Sequence, residues 1–243
     1  MRYQIKDDHE YYYDFMLENF LREVIEDDVD TIIDHANELK ELSLWINDTL
    51  KLGVDRKEIV YAAMLHDMFS EFDKTNHHSL AYDFIENHHS EHDVFKPLNY
   101  ESRKRVSMAV LEHRSCLSIM SYHSTLSALI SAADMGVPNL NIIVGKAFKY
   151  AISKKHNDEI LNARIIAKQV MLYLRSKYSD VGSAKYNPIY KQAFSDKIEK
   201  LVIDVNKLSI SEIINIGYVY LRDNNDDNNL EVKNFIKTYG ESI

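Results

Sequence analysis

Apolar residues recur along most of the chain at spacings of three and four positions, with polar residues between them. This spacing is typical of helices that bury one face. Glycine and proline, which punctuate strand-rich folds, number only 6 and 3. The pattern therefore predicts an all-α fold. Before residue 179 the predicted helices cover about 8–27, 30–52, 56–67, 75–87, 102–114, 124–136, 139–154 and 158–178.

The composition changes at residues 179–188, where Gly, Ser and Pro stand close together and predict a linker. Two further helices are predicted at about 189–208 and 211–223. The polar run DNNDDNN that follows them is expected to be a solvated or disordered turn. We therefore predict a helical domain over residues 1–180 and a C-terminal helical extension over residues 181–243.

Length and composition narrow the class of protein. A chain of 243 residues fits one large domain, with or without a terminal extension, and 45% hydrophobic and 28% charged residues are ordinary globular values. The opening MRYQIKDDHE carries charges where a secretory signal needs an apolar run. No apolar stretch approaches the ~18 residues of a membrane span. We therefore expect a cytoplasmic protein without a membrane partner.

Charge and histidine content bear on the partners and ligands. Asp and Glu outnumber Lys and Arg by 38 to 29, and the net charge of −9 disfavours a polynucleotide as the main partner. The chain has 11 histidines but a single cysteine, Cys116. One cysteine excludes an internal disulfide framework and a thiolate zinc site. Imidazole and carboxylate are therefore the metal ligands that this chain offers.

Several histidines and aspartates lie on the apolar faces of predicted helices. His35 falls in the apolar register of its helix, the pair His66–Asp67 ends an alanine-rich helix, and His113 and Asp134 lie near the ends of two later helices. Taken singly, each has an ordinary explanation, such as a buried histidine bonded to a carbonyl, an ion pair or a charge at a helix end. Because buried charges are costly unless paired or metal-bound, we favour one shared centre over several unrelated polar groups.

The fourth predicted helix contains two adjacent histidines. His77 shares its face with Ala81 and Phe84, whereas His78 is in register with Tyr82. Helical periodicity therefore favours His77 as the residue that faces the core. The choice between the two histidines stays open on the sequence alone.

The ordered set His35, His66–Asp67, His77, His113 and Asp134 resembles the HD-domain superfamily of metal-dependent phosphohydrolases. The resemblance covers about residues 25–140, and the segments AAMLHDMF, HHSLAYDFI, AVLEHR and ALISAADMGVP are similar to those around the family's ligands. It implies an HD-domain helical bundle. The chain resembles the symmetrical diadenosine tetraphosphate hydrolases more than the cyclic-dinucleotide phosphodiesterases, whose GYP signature it lacks.

The resemblance also implies a site for one or two divalent ions, which would be Mn, Fe, Mg or Co. The basic set that holds one ion corresponds to His35, His66, Asp67 and Asp134. His77 and His113 match the positions that complete a second site in binuclear members, where the HD aspartate bridges the two ions.

The implied activity is hydrolysis of a phosphate ester or anhydride in a nucleotide or a similar small phosphorylated metabolite by metal-activated water. We expect Asp67 to be catalytic and Arg114 and Lys74 to contact the phosphate. Charged groups at helix ends also occur for electrostatic reasons alone. Many members carry Gly-Lys or Ala-Lys after the HD pair, whereas this chain has Met68-Phe69-Ser70. Lys74 would therefore reach the substrate from a longer loop.

Other functions stay open on the sequence alone. They are a binuclear-iron oxygenase on the same scaffold and a non-catalytic regulatory or interaction protein that retains the metal site. All six ligand positions are filled, which argues against a relic. Glu71 and Glu112 are candidates for orienting ligands or water, or are exposed surface residues. The sequence does not decide the substrate, the number of ions, the role of the extension or whether the chain forms a homo-oligomer.

Overall fold

The computed structural model of the protein describes residues 8–25, 29–114, 122–153, 162–178, 187–224 and 230–240. Within these ranges the regular secondary structure is helical and contains no strand, which confirms the predicted all-α class. Cys116 and most of the predicted linker lie outside them. The chain divides into two compact units, one of Met1–Gly136 and Tyr186–Ala193, the other of Val137–Lys185 and Phe194–Ile243.

The first unit contains α1 (Asp8–Val24), α2 (Val29–Leu50), α3 (Arg56–Leu65), α4 (His77–Asn87), α5 (Tyr100–Glu112) and α6 (Thr125–Asp134). Two single-turn 3-10 helices, His89–Glu91 and Asp93–Phe95, follow α4. Helix α3 lies at the centre, because it packs against α1, α2, α5 and α6. Every residue from Glu58 to Leu65 is buried. His66 and Asp67 directly follow this buried segment, so the backbone at both residues lies in the interior of the unit.

Polar caps set the starts of two helices that carry the site. The Asp55 side chain accepts a hydrogen bond from Lys57 N at 2.8 Å and caps α3. The Ser124 side chain accepts one from Ser127 N at 3.1 Å and caps α6. Gly53 has a φ of 69° shortly after α2, a left-handed conformation that glycine adopts without strain. The two caps confirm the helix starts that the sequence predicts. Helix α2 ends at Leu50, and the left-handed residue that directly follows it is Lys51, with a φ of 54°, so the stop lies before the predicted Gly53.

The second unit contains α7 (Leu140–Ser153) and α8 (Ala163–Tyr178), together with the C-terminal helices. Helix α9 (Pro188–Lys207) leaves helical geometry at Phe194, where φ is −133° and ψ is 25°. The division between the units falls at the same residue. Helix α10 (Ile210–Asp223) packs on α7 and α8. A Cβ atom at Gly217 would lie 2.5 Å from Phe148 Cγ, so glycine lets α10 approach α7 closely.

The structure departs from the sequence predictions at two places. The predicted domain boundary lies between residues 180 and 181, whereas the first unit's main segment ends at Gly136. The reason is that α7 and α8 pack against α10 and so group with the C-terminal helices. A further helix, α11 (Leu230–Gly240), is absent from the predicted set. The Asn-Asp run before it, of which 225–229 lie outside the described residues, obscures its start.

Candidate metal centre

The HD pair lies where the central helix ends among small residues. His66 is completely buried and directly follows the buried run of α3 that contains Ala62 and Ala63. Its Nδ1 atom lies 2.7 Å from Ala63 O. A carbonyl oxygen only accepts hydrogen bonds, so the proton of His66 resides on Nδ1. The Nε2 lone pair of the neutral ring is therefore left as an acceptor or a metal ligand.

Two more histidines are held in the same way. His77 Nδ1 lies 3.3 Å from Lys74 O, and His113 Nδ1 lies 2.7 Å from Val110 O. In each case the partner is the carbonyl three residues earlier, as it is for His66. A hydrogen bond from one ring nitrogen to a carbonyl fixes the tautomer and the orientation of a metal-binding histidine. The three imidazole rings lie at the end of α3, the start of α4 and the end of α5. In each ring Nδ1 is occupied by a carbonyl, so Nε2 is the atom left to bind a metal.

The first group of donors, which we call trio A, consists of His35, His66 and Asp134. One ligand atom from each residue lies within 4.8 Å of the others. His35 Nε2 is 3.7 Å from Asp134 Oδ1. Helices α2 and α6 contribute the first and last members, and the third follows α3. Trio A therefore joins three segments that are far apart in sequence and supplies two imidazoles and one carboxylate.

The second group, trio B, consists of Asp67, His77 and His113, whose ligand atoms also lie within 4.8 Å of one another. Asp67 Oδ1 is 2.9 Å from His77 Nε2 and 3.5 Å from His113 Nε2. The two Nε2 atoms are 3.2 Å apart. His77 and His113 are buried. Trio B has the same donor composition as trio A, with two imidazoles and one carboxylate.

Asp67 connects the two trios through its two carboxylate oxygens. Oδ1 faces trio B, as described above. Oδ2 faces trio A, because it lies 3.5 Å from His66 Nε2 and 3.7 Å from His35 Nε2. A carboxylate that turns one oxygen to each of two donor groups has the arrangement needed to bridge two neighbouring cations. All six residues predicted as metal ligands are thus brought together around Asp67.

The protonation states of the buried groups suit a cation. Burial lowers the pKa of His66 to about 4, because the imidazolium would lose its hydration. Burial acts to raise the pKa of Asp134, but a hydrogen bond with His35 and nearby histidines lower it to about 2. For Asp67 the same competition leaves the pKa well below its usual range, through His66, His113 and His77. Both carboxylates are therefore ionised and His66 is neutral at neutral pH.

Without a cation, two features of this cluster are unfavourable. His66 Nε2 is buried and has no hydrogen-bond partner. His77 and His113 direct Nε2 atoms at each other across 3.2 Å while their Nδ1 atoms face carbonyls, so two neutral rings would oppose their lone pairs. Burial opposes ionisation of His113, but the hydrogen bond with Asp67 raises its pKa. A proton taken up by His113 would relieve the repulsion in trio B, whereas His66 Nε2 would still lack a hydrogen-bond partner.

The spacing of the donors also fits a divalent ion. Two atoms bound to one ion at about 2.0–2.2 Å are about 3–3.6 Å apart for right-angle or tetrahedral arrangements. The measured separations of 2.9, 3.2 and 3.5 Å within trio B and 3.7 Å within trio A are close to this range. Nitrogen and oxygen donors without sulfur suit a hard or borderline divalent ion better than a soft one. The residues present could thus hold a divalent metal ion.

The predicted phosphate contacts are found in different settings. Arg114 directly follows His113 and donates from Nη1 to Thr75 O at 2.5 Å, which ties the end of α5 to the loop before α4. Lys74 Nζ lies 3.4 Å from Glu71 Oε1, and the Lys74 side chain is more than half exposed. The described contacts therefore place Arg114 beside trio B, while the Lys74 ammonium pairs with a surface carboxylate.

The groups that orient the ligands are not the ones proposed from the sequence. Glu112 Oε2 accepts a hydrogen bond from the backbone of His123 at 2.9 Å, and Glu71 pairs with Lys74. The orienting partners are the carbonyls of Ala63, Lys74 and Val110. Each of these carbonyls belongs to the residue three positions before its histidine. The sequence does not reveal this contact, because it depends on the side-chain rotamer of each histidine.

His77 and not His78 belongs to trio B, as the helical periodicity favoured. His78 is nevertheless buried as well, with 8% of its surface exposed. The sequence placed it in register with Tyr82 and left the choice between the two histidines open, and the structure buries both. The first turn of α4 contains both buried histidines. The only sequence signal for His78 was the adjacent histidine itself.

Comparisons of the chain with known proteins do not identify a family. No family model matches the chain, and no curated protein or solved structure is significantly similar to it. Among the described residues no helix is both long and apolar enough to cross a membrane. The contacts within and around the two trios are therefore the observations from which a function can be inferred.

Proposed function

We propose that this chain is a metal-dependent phosphohydrolase of the HD-domain type. Its substrate would be a phosphate ester or anhydride of a nucleotide or a similar small phosphorylated metabolite. The observation that carries this proposal is the position of Asp67, which contributes Oδ1 to trio B and directs Oδ2 at trio A, a group of the same composition. The order of these residues along the chain, which resembles the HD-domain superfamily, supports the same conclusion.

Trio A would hold one ion and trio B the other, with Asp67 shared between them. When bound, divalent ions supply Lewis-acid chemistry, which lowers the pKa of water and offsets negative charge on phosphoryl oxygens. Two ions about 3.5–4 Å apart are common in enzymes that displace a leaving group from phosphorus. A site with open positions beside the protein ligands is required. Trio B provides three donors, and trio A provides three to which Asp67 Oδ2 would add a fourth, so octahedral ions would keep open positions.

The residues of the chain have separate tasks in this reaction. His66, His77 and His113 keep their protons on Nδ1 through the carbonyl bonds, so Nε2 stays available for binding. Asp67 remains ionised and fixes the distance between the two halves of the site. Arg114, held by Thr75 O, places a positive charge next to trio B, where it would attract an anionic phosphoryl group. Lys74 stays a candidate for a more distant phosphate contact.

The overall reaction balances without a redox partner. The oxygen of water forms a bond to phosphorus, the bond from phosphorus to the leaving oxygen breaks, and one proton of the water passes to that oxygen. The products are a phosphate and an alcohol or a second phosphate. The protein's charge of −9 disfavours polynucleotides but does not exclude a small anion, because Arg114 and bound cations act locally. A cytoplasmic setting, as the sequence predicts, contains such nucleotides.

The test combines metal analysis with a substrate screen. The purified protein is analysed for bound metal and assayed with nucleotides and dinucleoside polyphosphates in the presence of Mn, Mg, Co or Fe. Asp67→Ala should lower the metal content and reduce hydrolysis more than about a hundredfold, because even partners outside the ligand set contribute 10–100-fold. Asp83→Ala is the matched control, since Asp83 is an exposed aspartate on α4.

The outcomes separate the remaining alternatives. Hydrolysis that needs added metal, is lost in Asp67→Ala and is retained in Asp83→Ala supports the proposal. Equal metal content in the wild type and Asp67→Ala, with no hydrolysis by either, would overturn it. Specific retention of iron together with oxygen consumption on an organic substrate would instead favour a binuclear-iron oxygenase.

A further inference from the structure

His78 is a buried histidine with an unpartnered nitrogen beside trio B. Only 8% of the residue is exposed, and its Nδ1 atom has no hydrogen-bond partner. Buried polar atoms without a partner are uncommon, because desolvation costs free energy that no hydrogen bond returns. Neighbouring His77 and His113 satisfy their Nδ1 atoms on carbonyls, whereas His78 Nδ1 does not. The unpartnered atom therefore needs a different explanation.

The ring of His78 packs against both histidines of trio B. Its centroid lies 5.6 Å from that of His77 and 6.3 Å from that of His113, and both ring pairs are nearly perpendicular. His78 is nonetheless not a member of the trio. It lies next to the donors without being one of them, which is where a residue that contacts a bound ligand is found.

Arg114 adds a positive charge to the same place. Its guanidinium is fixed on Thr75 O, three residues before His78 in the chain. The side chains of Arg114 and His78 are close enough to interact electrostatically. An imidazole carries at least one N–H group whether it is neutral or charged, so His78 can donate a hydrogen bond. An N–H donor beside a fixed cation is suited to an anionic oxygen.

We propose that His78 and Arg114 form an anion subsite next to trio B, in which His78 Nδ1 donates a hydrogen bond to a phosphoryl oxygen and Arg114 supplies the charge. This inference rests on the proposed function and names the part of the site that receives the phosphate. It assigns His78 a binding role without making it a metal ligand. The Nδ1 atom would then obtain its missing partner when substrate or product is bound.

Binding of inorganic phosphate to the Mn-loaded protein, measured by calorimetry, tests this subsite without requiring turnover. His78→Phe keeps an aromatic ring of similar shape and removes both nitrogens. It should weaken phosphate binding by about tenfold, the usual effect of losing one hydrogen bond to a charged group. His78→Asn places an amide nitrogen at the same number of bonds from the backbone as Nδ1. It should keep most of the affinity. His88→Phe, at the other end of α4, is the matched control and should not change it.

Metal content is measured for every variant, because it separates binding from site assembly. Equal phosphate affinity in the wild type and His78→Phe, at equal metal content, would overturn the proposal. So would loss of metal in His78→Phe, which would make the residue a support of trio B, or an Asn variant as weak as the Phe variant. If the Phe variant does not fold, His78→Ala replaces it. Phosphate binding by a protein that hydrolyses no substrate would refute the proposed function and leave the subsite intact.

Discussion

Replacing His113 by Asn should remove one metal equivalent while leaving the fold largely undisturbed. His113 serves two partners, since Nδ1 faces Val110 O at 2.7 Å and Nε2 faces Asp67 Oδ1 at 3.5 Å. The amide nitrogen of Asn lies at the same number of bonds from the backbone as Nδ1, so it can still donate to Val110 O. It has no atom at the position of Nε2. The substitution therefore separates the ligand role from the structural role.

The expected magnitudes follow from these contacts. In His113→Ala, Val110 O loses its donor in a buried setting, which costs about 1–3 kcal/mol. His113→Asn should avoid most of this cost and be about 1 kcal/mol more stable than His113→Ala. Trio B keeps only Asp67 Oδ1 and His77 Nε2 in both variants. Two protein donors hold a divalent ion weakly, so both variants should bind about one equivalent less than the wild type if the wild type binds two.

The assay is metal analysis after equilibrium dialysis, with urea unfolding of the metal-free proteins as the measure of stability. His123→Asn is the matched control, because His123 is exposed and only its backbone bonds to Glu112. Trio A contains neither residue, so its metal should remain in all variants. If His113→Asn retained the wild-type stoichiometry and affinity, trio B would not be a metal site and the bridging role of Asp67 would be refuted.

Two further predictions concern the metal-free protein. The folded pKa of His66 is about 4 and the unfolded value is about 6.5, so its contribution is complete above about pH 6.5 and is lost as the pH falls towards 4. After EDTA treatment, the free energy of unfolding should therefore fall less steeply with decreasing pH in His66→Gln than in the wild type. The difference should reach up to about 3 kcal/mol between about pH 6.5 and about pH 4. Parallel curves for the two proteins would show that His66 does not titrate in this way. Lys40 and Asp14 form a buried ion pair at 2.8 Å, and Lys40→Met should cost about 3–5 kcal/mol because it removes the cation that faces the buried carboxylate. The double variant Lys40→Met/Asp14→Leu should recover most of this loss in urea unfolding, and an equally unstable double variant would contradict the explanation.

The sequence predicted the helices of the site because their signals are local. Asp55 caps α3 and Ser124 caps α6 through bonds to backbone groups two and three residues away. The stop of α2 was predicted less well, because the left-handed residue after Leu50 is Lys51 and not Gly53. Each of these features depends on a few consecutive residues. Helix α11 was missed because every residue of the run DNNDDNN before it is a possible N-cap, so the local signal does not mark one start and the run was taken as a solvated turn.

The division of the chain could not be read in this way. The sequence change at residues 179–188 predicted a boundary at 180, whereas α7 and α8 pack with α10 and the first unit's main segment ends at Gly136. A segment rich in Gly, Ser and Pro indicates turns and exposure to solvent. It does not indicate which helices pack together, because that depends on the apolar faces of helices that are far apart in the sequence. Gly217 against Phe148 is one such contact.

For the candidate site, the sequence determined which residue types were available and which helical faces carried them. A single cysteine left imidazole and carboxylate, and helical register brought His35, His66, Asp67, His113 and Asp134 into consideration and favoured His77 over His78.

Only the tertiary structure decided how these side chains are grouped. Helices approach one another through whole packed faces, so the 2.9 Å between Asp67 Oδ1 and His77 Nε2 depends on how the segment after α3 meets α4. The same packing buried His78 beside His113. Periodicity fixes the direction of a side chain relative to its own helix. The distances between helices, and therefore the two trios, are fixed by long-range packing.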